Sequence, residues 1–241
     1  MKMLSVSMFN QISSISNSFS HLVFPQKCIH CENELIEKES FICFSCMTNL
    51  SFTFFENYSE QTKMDKLFWG KITIHKTFAL YNFEENTVVQ SILHALKYKN
   101  NPKIGREFGK KIGEKLLQIK SFEDLDALIP VPMHPKKKFL RGYNQAEMLA
   151  RGISEVTSIP IQSTEVKKLK HTQSQTQKSL WERWTNSENT FSSSLNSNSL
   201  HHIALVDDVL TTGATMERLA TTILDKNPTL KISLITLAIT K

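Results

Sequence analysis

The sequence has no cysteine outside one short stretch and no internal repeat from which a stacked array could be built. It has no apolar run near the roughly 18 residues that a membrane-crossing helix needs, which excludes such a span. No serine, histidine and acid stand in an evident nucleophile arrangement; the eight histidines are scattered, and His201 and His202 are expected to be exposed. The N-terminus offers little to an export apparatus. Lys2 is its one early charge, and Asn10, Gln11 and Asn17 interrupt any apolar core. Leu4, Met8, Ile12, Ile15, Phe19 and Leu22 recur at helical spacing instead. The opposite face carries Ser and Asn rather than Lys and Arg, so a packing helix is expected rather than a membrane-surface one. The expected location is the cytoplasm.

A length of 241 residues allows one ordinary domain plus a small module, or two small domains. Apolar residues at 40% and charged residues at 22% are the balance of a globular chain that buries a core. The net charge of +6 suits anionic ligands, phosphates or nucleic acid, although a solvated basic surface accounts for it equally well.

The four cysteines, Cys28, Cys31, Cys43 and Cys46, form two C-x2-C pairs separated by eleven residues. Each pair can present two sulfurs to one ion from a tight turn, and two pairs complete a tetrahedral thiolate set for Zn2+. Disulfides fit a reduced compartment poorly, and a thioredoxin-like redox site would need a βαβ context that neither pair has. A closed set of four leaves no position for substrate, so the expected role is structural: holding together a segment too short for its own core.

Organisation follows from the patterning. Residues 1–50 form the helix and zinc module, 51–75 a packed, aromatic-containing connector without clear period, and 76–241 the main domain. There Thr77–Phe83 reads as a strand, and Val88, Val89, Ile92, Leu93 and Leu96 mark one helix face. Ile104, Phe108, Ile112, Leu116 and Ile119 mark a longer helix. Ala127–Val131 is a short apolar strand, Gln145–Val156 a helix and Val166–Leu169 a short strand. Ile203–Val206, Ala214–Leu224 and Ile232–Ile239 read as strand, helix and strand. Residues 186–202, rich in Ser and Asn, read as a loose surface loop. Alternating strands and helices imply an α/β fold with a parallel sheet flanked by helices on both faces.

The most informative stretch is Ile203 to Thr215. Four apolar residues lead to Asp207 and Asp208, then through Val209 and Leu210 to Thr211, Thr212 and Gly213, with a helix opening at Ala214. Ligands of open α/β sheets bind at the carboxyl ends of strands. Loop amides and the helix N-terminus would face an anion there, with hydroxyls from Thr211, Thr212 and Thr215. Gly213 lets the backbone come close. Two carboxylates repel phosphate; they suit sugar hydroxyls and hydrated Mg2+.

This segment resembles the signature by which type I phosphoribosyltransferases bind phosphoribosyl pyrophosphate (PRPP): apolar strand, two acids, an apolar residue, then T-T-G-x-T. The resemblance implies a ribose held by Asp207 and Asp208 and a 5′-phosphate cradled by Thr211, Thr212, Gly213, Ala214 and Thr215. Leu128-Ile129-Pro130-Val131-Pro132 is similar to the strand and pyrophosphate loop of that fold, which places Val131 at the ligand. Arg141-Gly142-Tyr143-Asn144-Gln145-Ala146-Glu147 resembles a block of the competence-associated ComF family. So do Phe24-Pro25 before the cysteine pairs, His94-Ala95-Leu96-Lys97-Tyr98-Lys99, and the spacing of Thr172, Gln175, Leu180, Glu182, Arg183 and Asn186. The chain departs from that family in its 186–202 insertion and its Thr-Gln-Ser-Gln-Thr-Gln run at 172–177.

The resemblance implies a type I phosphoribosyltransferase-like domain behind a small zinc-ribbon-like module. A transferase of this class expels pyrophosphate from the ribose, which calls for Mg2+ and cations at the leaving group. Lys97, Lys99, Arg141, Lys136, Lys137, Lys138 and Arg183 are the candidates, with solvated surface roles open to each. Lys97 and Arg141 join Asp207 and Asp208 as expected catalytic groups. Eight Lys or Arg and two Glu between Lys97 and Lys120 make a face that either meets nucleic-acid phosphates or is simply solvated. Three functions follow from the resemblance: a ComF-like factor binding PRPP and single-stranded DNA alongside DNA-uptake proteins, a metabolic phosphoribosyltransferase, or a PRPP-sensing regulator. A glutamine-dependent amidotransferase is disfavoured, because that chemistry needs an N-terminal cysteine nucleophile and Met1 is followed by Lys2.

Overall fold

The computed structural model describes residues 26–36, 41–57, 61–169, 191–195 and 200–240. The N-terminal helix expected over Leu4–Leu22 and the block from Thr172 to Asn186, Arg183 included, lie outside these residues. The chain divides into two compact units, one ending at Leu50 and one beginning at Ser51.

In the first unit, a Lys27–Glu34 antiparallel bridge shapes the turn that carries Cys28 and Cys31. The second cysteine pair brackets helix α1 (Phe44–Met47), where Cys43 is the N-cap and its sulfur accepts from the Cys46 amide. Cys28, Cys43 and Cys46 are buried, as are Leu35 and Ile42, the small apolar set around them.

The second unit opens with a segment that docks on the first strand rather than looping free. Helix α2 (Lys63–Lys66) starts at Thr62, whose hydroxyl accepts from the Met64 and Asp65 amides while Asp65 reaches back, a reciprocal cap. Met64 and Phe68 are fully buried. Thr53 and Asn82 exchange backbone hydrogen bonds with Leu80 and Ser51, which lays residues 51–53 against the sheet edge.

The remaining elements alternate as expected. They are β1 (Thr77–Phe83), α3 (Val88–Tyr98), α4 (Pro102–Leu116), β2 (Ala127–Pro130), α5 (Pro135–Arg141) and α6 (Gln145–Thr157), then β3 (Val166–Lys168), β4 (Phe191–Ser193), β5 (His202–Leu210), α7 (Ala214–Leu224) and β6 (Lys231–Thr240). Four strands form one sheet in the order β1-β6-β5-β2. All its pairings are parallel. The fold is thus α/β, a parallel sheet flanked by helices. Its central strands β5 and β6 are buried almost throughout, which is why they read as continuous apolar runs.

Helix ends are set locally. Thr87 caps α3, Asn101 followed by Pro102 opens α4, and Asn144 caps α6. Helices α4 and α6 touch backbone to backbone. A Cβ on Gly109 would sit 2.2 Å from the Leu149 carbonyl oxygen, and one on Gly152 would sit 2.0 Å from that of Arg106. Only glycine fits at this crossing.

Three expectations are corrected. Strand β5 does not stop at the two acids: Val209 and Leu210 still pair with Ala238 and Ile239, so Asp207 and Asp208 lie within the ladder. Part of the Ser/Asn-rich stretch is ordered, because Phe191–Ser193 pairs antiparallel with Val166–Lys168 and buries Phe191 and Ser193. His202 is buried rather than exposed, with only 1% of its surface accessible. Among the described residues, no helix is long and apolar enough to cross a membrane.

Candidate functional site

Strands β2 and β5 lie side by side, and β2 ends at Pro130, opposite Val206, four residues before β5 does. The Val131 amide donates to the Val206 carbonyl (2.8 Å), so the Pro-Val-Pro loop leaves the sheet beside the two acids. Asp208 is buried and pairs with Lys97 Nζ at 3.2 Å. Asp207 is half-buried, and its Oδ1 accepts from the Asp208 amide (2.8 Å). Burial and the neighbouring Asp208 charge push the Asp207 carboxyl up to about 7, against the pull of the Asp208 amide, Lys97 and Lys168. Two adjacent carboxylates, one of them paired with an ammonium, are short of positive charge.

The loop from Thr211 to Thr215 supplies the opposite character. Thr211, Thr212, Ala214 and Thr215 are exposed, and Gly213 alone turns inward. Gly213 has φ 77°, and its Cβ position faces the Phe68 ring at 3.0 Å, so conformation and space both require glycine. It caps α7 without any side-chain hydrogen bond; the Ala214 amide donates to Thr212 Oγ1 (3.5 Å), and the Thr215 and Met216 amides next in the turn are placed to meet an anion.

The Arg-Gly-Tyr-Asn-Gln block ties these parts together. The Tyr143 hydroxyl donates to the Leu96 carbonyl (2.7 Å), next to Lys97. Asn144 Nδ2 donates to the Val131 carbonyl (3.0 Å), and its Oδ1 caps α6. Arg141 Nη1 donates to Gln145 Oε1 (3.2 Å) and its guanidinium lies over the Tyr98 ring at 5.6 Å. Gln145 is 2% exposed, and its Nε2 has no hydrogen-bond partner among the described residues.

The predicted residues therefore fall in distinguishable places. Lys97, Asp207, Asp208 and Val131 converge on the ends of β2 and β5, with Thr211–Thr215 in the loop that follows β5. Arg141 stands at the far end of α5, turned onto Tyr98, and Lys136, Lys137, Lys138 and Lys99 are exposed. In the basic face of α4, Lys115 pairs with Glu56 at 2.8 Å, Lys110 with Glu107 at 2.8 Å, and Arg106 with Glu155. Much of that face is thus committed to neighbouring acids.

Two cations were not anticipated. Lys168, on β3, is held below the ordinary lysine value, first by burial and then by Lys137 and Arg218, with Asp207 opposing. It is thus electrostatically linked to Asp207, and Arg218 on α7 acts on Lys168 in turn. Lys168 is the last residue of a three-residue strand, where no pattern distinguishes it from Lys167. Equally unanticipated is a hydrogen-bonded Asp124–His202–Ser233 chain at the amino-terminal sheet edge. His202 meets Asp124 Oδ1 at 2.7 Å and Ser233 Oγ at 2.8 Å. Ser233 is wholly buried, so no substrate reaches it as a nucleophile.

In the first unit the four sulfurs lie within 4.8 Å of one another. Cys31 and Cys43 are 3.6 Å apart, close to the roughly 3.8 Å edge of a tetrahedron with zinc–sulfur bonds of 2.3 Å. The Cys43 amide donates to Cys28 Sγ (3.5 Å). Burial raises the Cys28 thiol, but the amides of Cys31, Cys43 and His30 outweigh it and bring it down to about 6. The donor set fits a zinc ion.

No family model matches the sequence. Competence protein F of Haemophilus influenzae is 26% identical over 213 residues, which cover 82% of this chain and 90% of that protein. Competence protein ComFC of Bacillus subtilis is 27% identical over 63% of this chain and 60% of its own length. The DNA utilization protein YhgH of Escherichia coli is 26% identical over 54% of this chain and 58% of its own. Among solved structures, a glutamine PRPP amidotransferase from B. subtilis has TM-score 0.38 and 18% identity, covering 59% of this chain and 30% of that one. That likeness is too distant to argue from. The sequence relatives are a coherent set of competence and DNA-utilization proteins, the first matched over 90% of its own length, and it is to these ComF-type proteins that this chain is similar.

Proposed function

We propose that this chain binds PRPP with Mg2+ where β2 and β5 end, and that it handles single-stranded DNA in the cytoplasm during DNA uptake. The observation that carries the reading is the conjunction of a Lys97-paired acid dyad with the α7 N-terminus one short loop away. The first attracts hydroxyls and a hydrated cation, the second a phosphate, and a phosphorylated ribose offers both.

In this reading Asp207 and Asp208 hold the ribose hydroxyls, and Thr211 to Thr215 hold the 5′-phosphate. Val131 and its loop face the pyrophosphate, with Lys97 above it. Asn144 and Tyr143 are positioning residues. Arg141 reaches the pyrophosphate only by leaving Tyr98. Mg2+, when bound, supplies charge neutralisation at the diphosphate. Zn2+ at Cys28, Cys31, Cys43 and Cys46 is structural.

The DNA part of the reading has support on α5. No residue of that helix is buried; Phe139 and Leu140 are 88% and 81% exposed beside Lys136, Lys137 and Lys138. Exposed aromatic rings among cations are what single strands stack on and track along.

Calorimetric titration of PRPP with Mg2+ tests the central claim. Wild type is expected to bind, and Asp207→Ala combined with Asp208→Ala to show no binding while remaining folded by circular dichroism. Equal affinity in both proteins overturns it. Pyrophosphate release that requires a nucleobase rather than single-stranded DNA assigns the chain to nucleotide metabolism, and PRPP binding without release in either case assigns it to sensing.

A further inference from the structure

At the opposite end of the sheet, about 16 Å along β5 from the acid dyad at the usual strand rise, three side chains converge. His75 precedes β1, Asp124 precedes β2, and His202 opens β5. One ligand atom of each lies within 4.8 Å of the others. The two imidazole rings stand edge to face with centroids 4.8 Å apart. We propose that His75, Asp124 and His202 form a second metal site, for a divalent ion of the zinc class, distinct from the cysteine set.

The donor chemistry is that of zinc sites which keep an exchangeable position: two imidazoles and one carboxylate. The partners of each donor divide the work. His202 Nε2 faces Ser233 Oγ at 2.8 Å, and donating its proton there leaves Nδ1 as a lone-pair donor. Nδ1 faces Asp124 Oδ1 at 2.7 Å. Asp124 Oδ2 is taken by Lys231 Nζ at 3.5 Å, so the carboxylate is oriented with Oδ1 inward. Tetrahedral zinc between Nδ1 and Oδ1 needs a separation of about 3.3 Å. Asp124 is half exposed and sits in a turn, so a shift of that size is open to it.

His75 is held from behind, its amide donating to the Ile232 carbonyl (2.8 Å). Its ring is exposed and makes no hydrogen bond among the described residues. It lines two clefts, of about 440 and 560 Å3, from which water or a small ligand reaches the ring. Fixed backbone, one buried and hydrogen-bonded imidazole, and two accessible donors make a site that loads and unloads its ion, unlike the closed thiolate set.

The test compares zinc content of wild type and His75→Ala after dialysis against micromolar Zn2+. His75 is exposed, so the variant is expected to fold. The proposal expects one zinc fewer per chain in His75→Ala, whatever the cysteines hold. Ser233→Ala keeps all three ligands and is expected to weaken this site by about ten- to a hundredfold. With Co2+ in place of Zn2+, the intense thiolate charge-transfer absorption should be the same in all three proteins, and only the weak visible bands of the nitrogen–oxygen site should fall. Equal metal content in wild type and His75→Ala overturns the proposal and leaves the cluster as a hydrogen-bonded clamp on the sheet edge.

Discussion

Lys97 Nζ stands 3.2 Å from Asp208 Oδ2, and this pair links the end of one helix to the middle of a sheet. Helix α3 places the lysine in its last turn, and the Tyr143 hydroxyl holds the adjacent Leu96 carbonyl. The ammonium is thus delivered to a buried carboxylate by three separate stretches of chain. Its field also reaches Asp207, whose carboxyl it helps to lower. Replacing Lys97 by Met removes that help. The Asp207 carboxyl is then expected to titrate above about 7, as read by carbon-13 NMR of the side-chain carboxyl. An unmoved titration would separate Lys97 from the dyad.

The raised Asp207 carboxyl has a consequence for stability. Its folded value of about 7 lies above its unfolded value of 3.8, so the folded chain binds more protons between them. Stability contributed by this group is complete below the unfolded value and is lost as pH rises through the folded one. Asp207→Asn removes the cost of ionising this half-buried group beside Asp208. The variant should melt higher than wild type at pH 8, and the difference should shrink steadily toward pH 4. A difference independent of pH would mean that the carboxyl is not perturbed.

Much of this arrangement was legible in the sequence. The strand and helix bounds of β1 and α7 follow from periodicity, and the residues at the ends of β2 and β5 follow from the acid pair and the Thr-Thr-Gly loop. The misreadings have physical reasons. Two aspartates normally end a strand, but here β6 continues to pair beyond them, and Asp208 is neutralised by a lysine over a hundred positions away. His202 reads as exposed because it stands just before the apolar run of the strand. Its partners, Asp124 and Ser233, are brought to it by the fold alone. Lys168 likewise has no local mark, since its meaning comes from Asp207 and Arg218.

Helices α4 and α6 meet where side chains have no room. Gly152→Ala would place a Cβ 2.0 Å from the Arg106 carbonyl oxygen and near the Gly109 Cα, both backbone atoms that move only with their helix. Overpacking of this kind costs about 1–3 kcal/mol or more. A denaturant midpoint lowered accordingly, with unchanged slope, is the expected outcome. Because α6 carries Asn144 at its start, the same variant should also weaken PRPP binding.

Among its described residues, the four-cysteine unit has few buried apolar side chains besides the cysteines themselves. Metal binding then contributes most of what orders it. Stripping zinc with a strong chelator should abolish amide-exchange protection within residues 26–50 and leave that of β5 and β6 intact. Protection that survives chelation in Cys28–Cys46 would show that the unit folds without metal.

Phe139 offers a ring to solvent, with three lysines before it and Arg141 two positions on. Stacking of one base on one aromatic ring is worth about 1–3 kcal/mol, while each lysine–phosphate contact adds to the salt dependence of binding. Phe139→Ala should therefore weaken oligo-dT binding by about five- to a hundredfold and leave the slope of log affinity against log salt unchanged. Lys137→Ala should do the reverse, reducing that slope by about 0.7 with a smaller loss at low salt. The two variants together distinguish a stacking platform from a merely cationic surface. If Phe139→Ala changes nothing while Lys137→Ala does, α5 attracts the strand but does not stack with it, and the DNA-handling surface must be sought among other exposed rings.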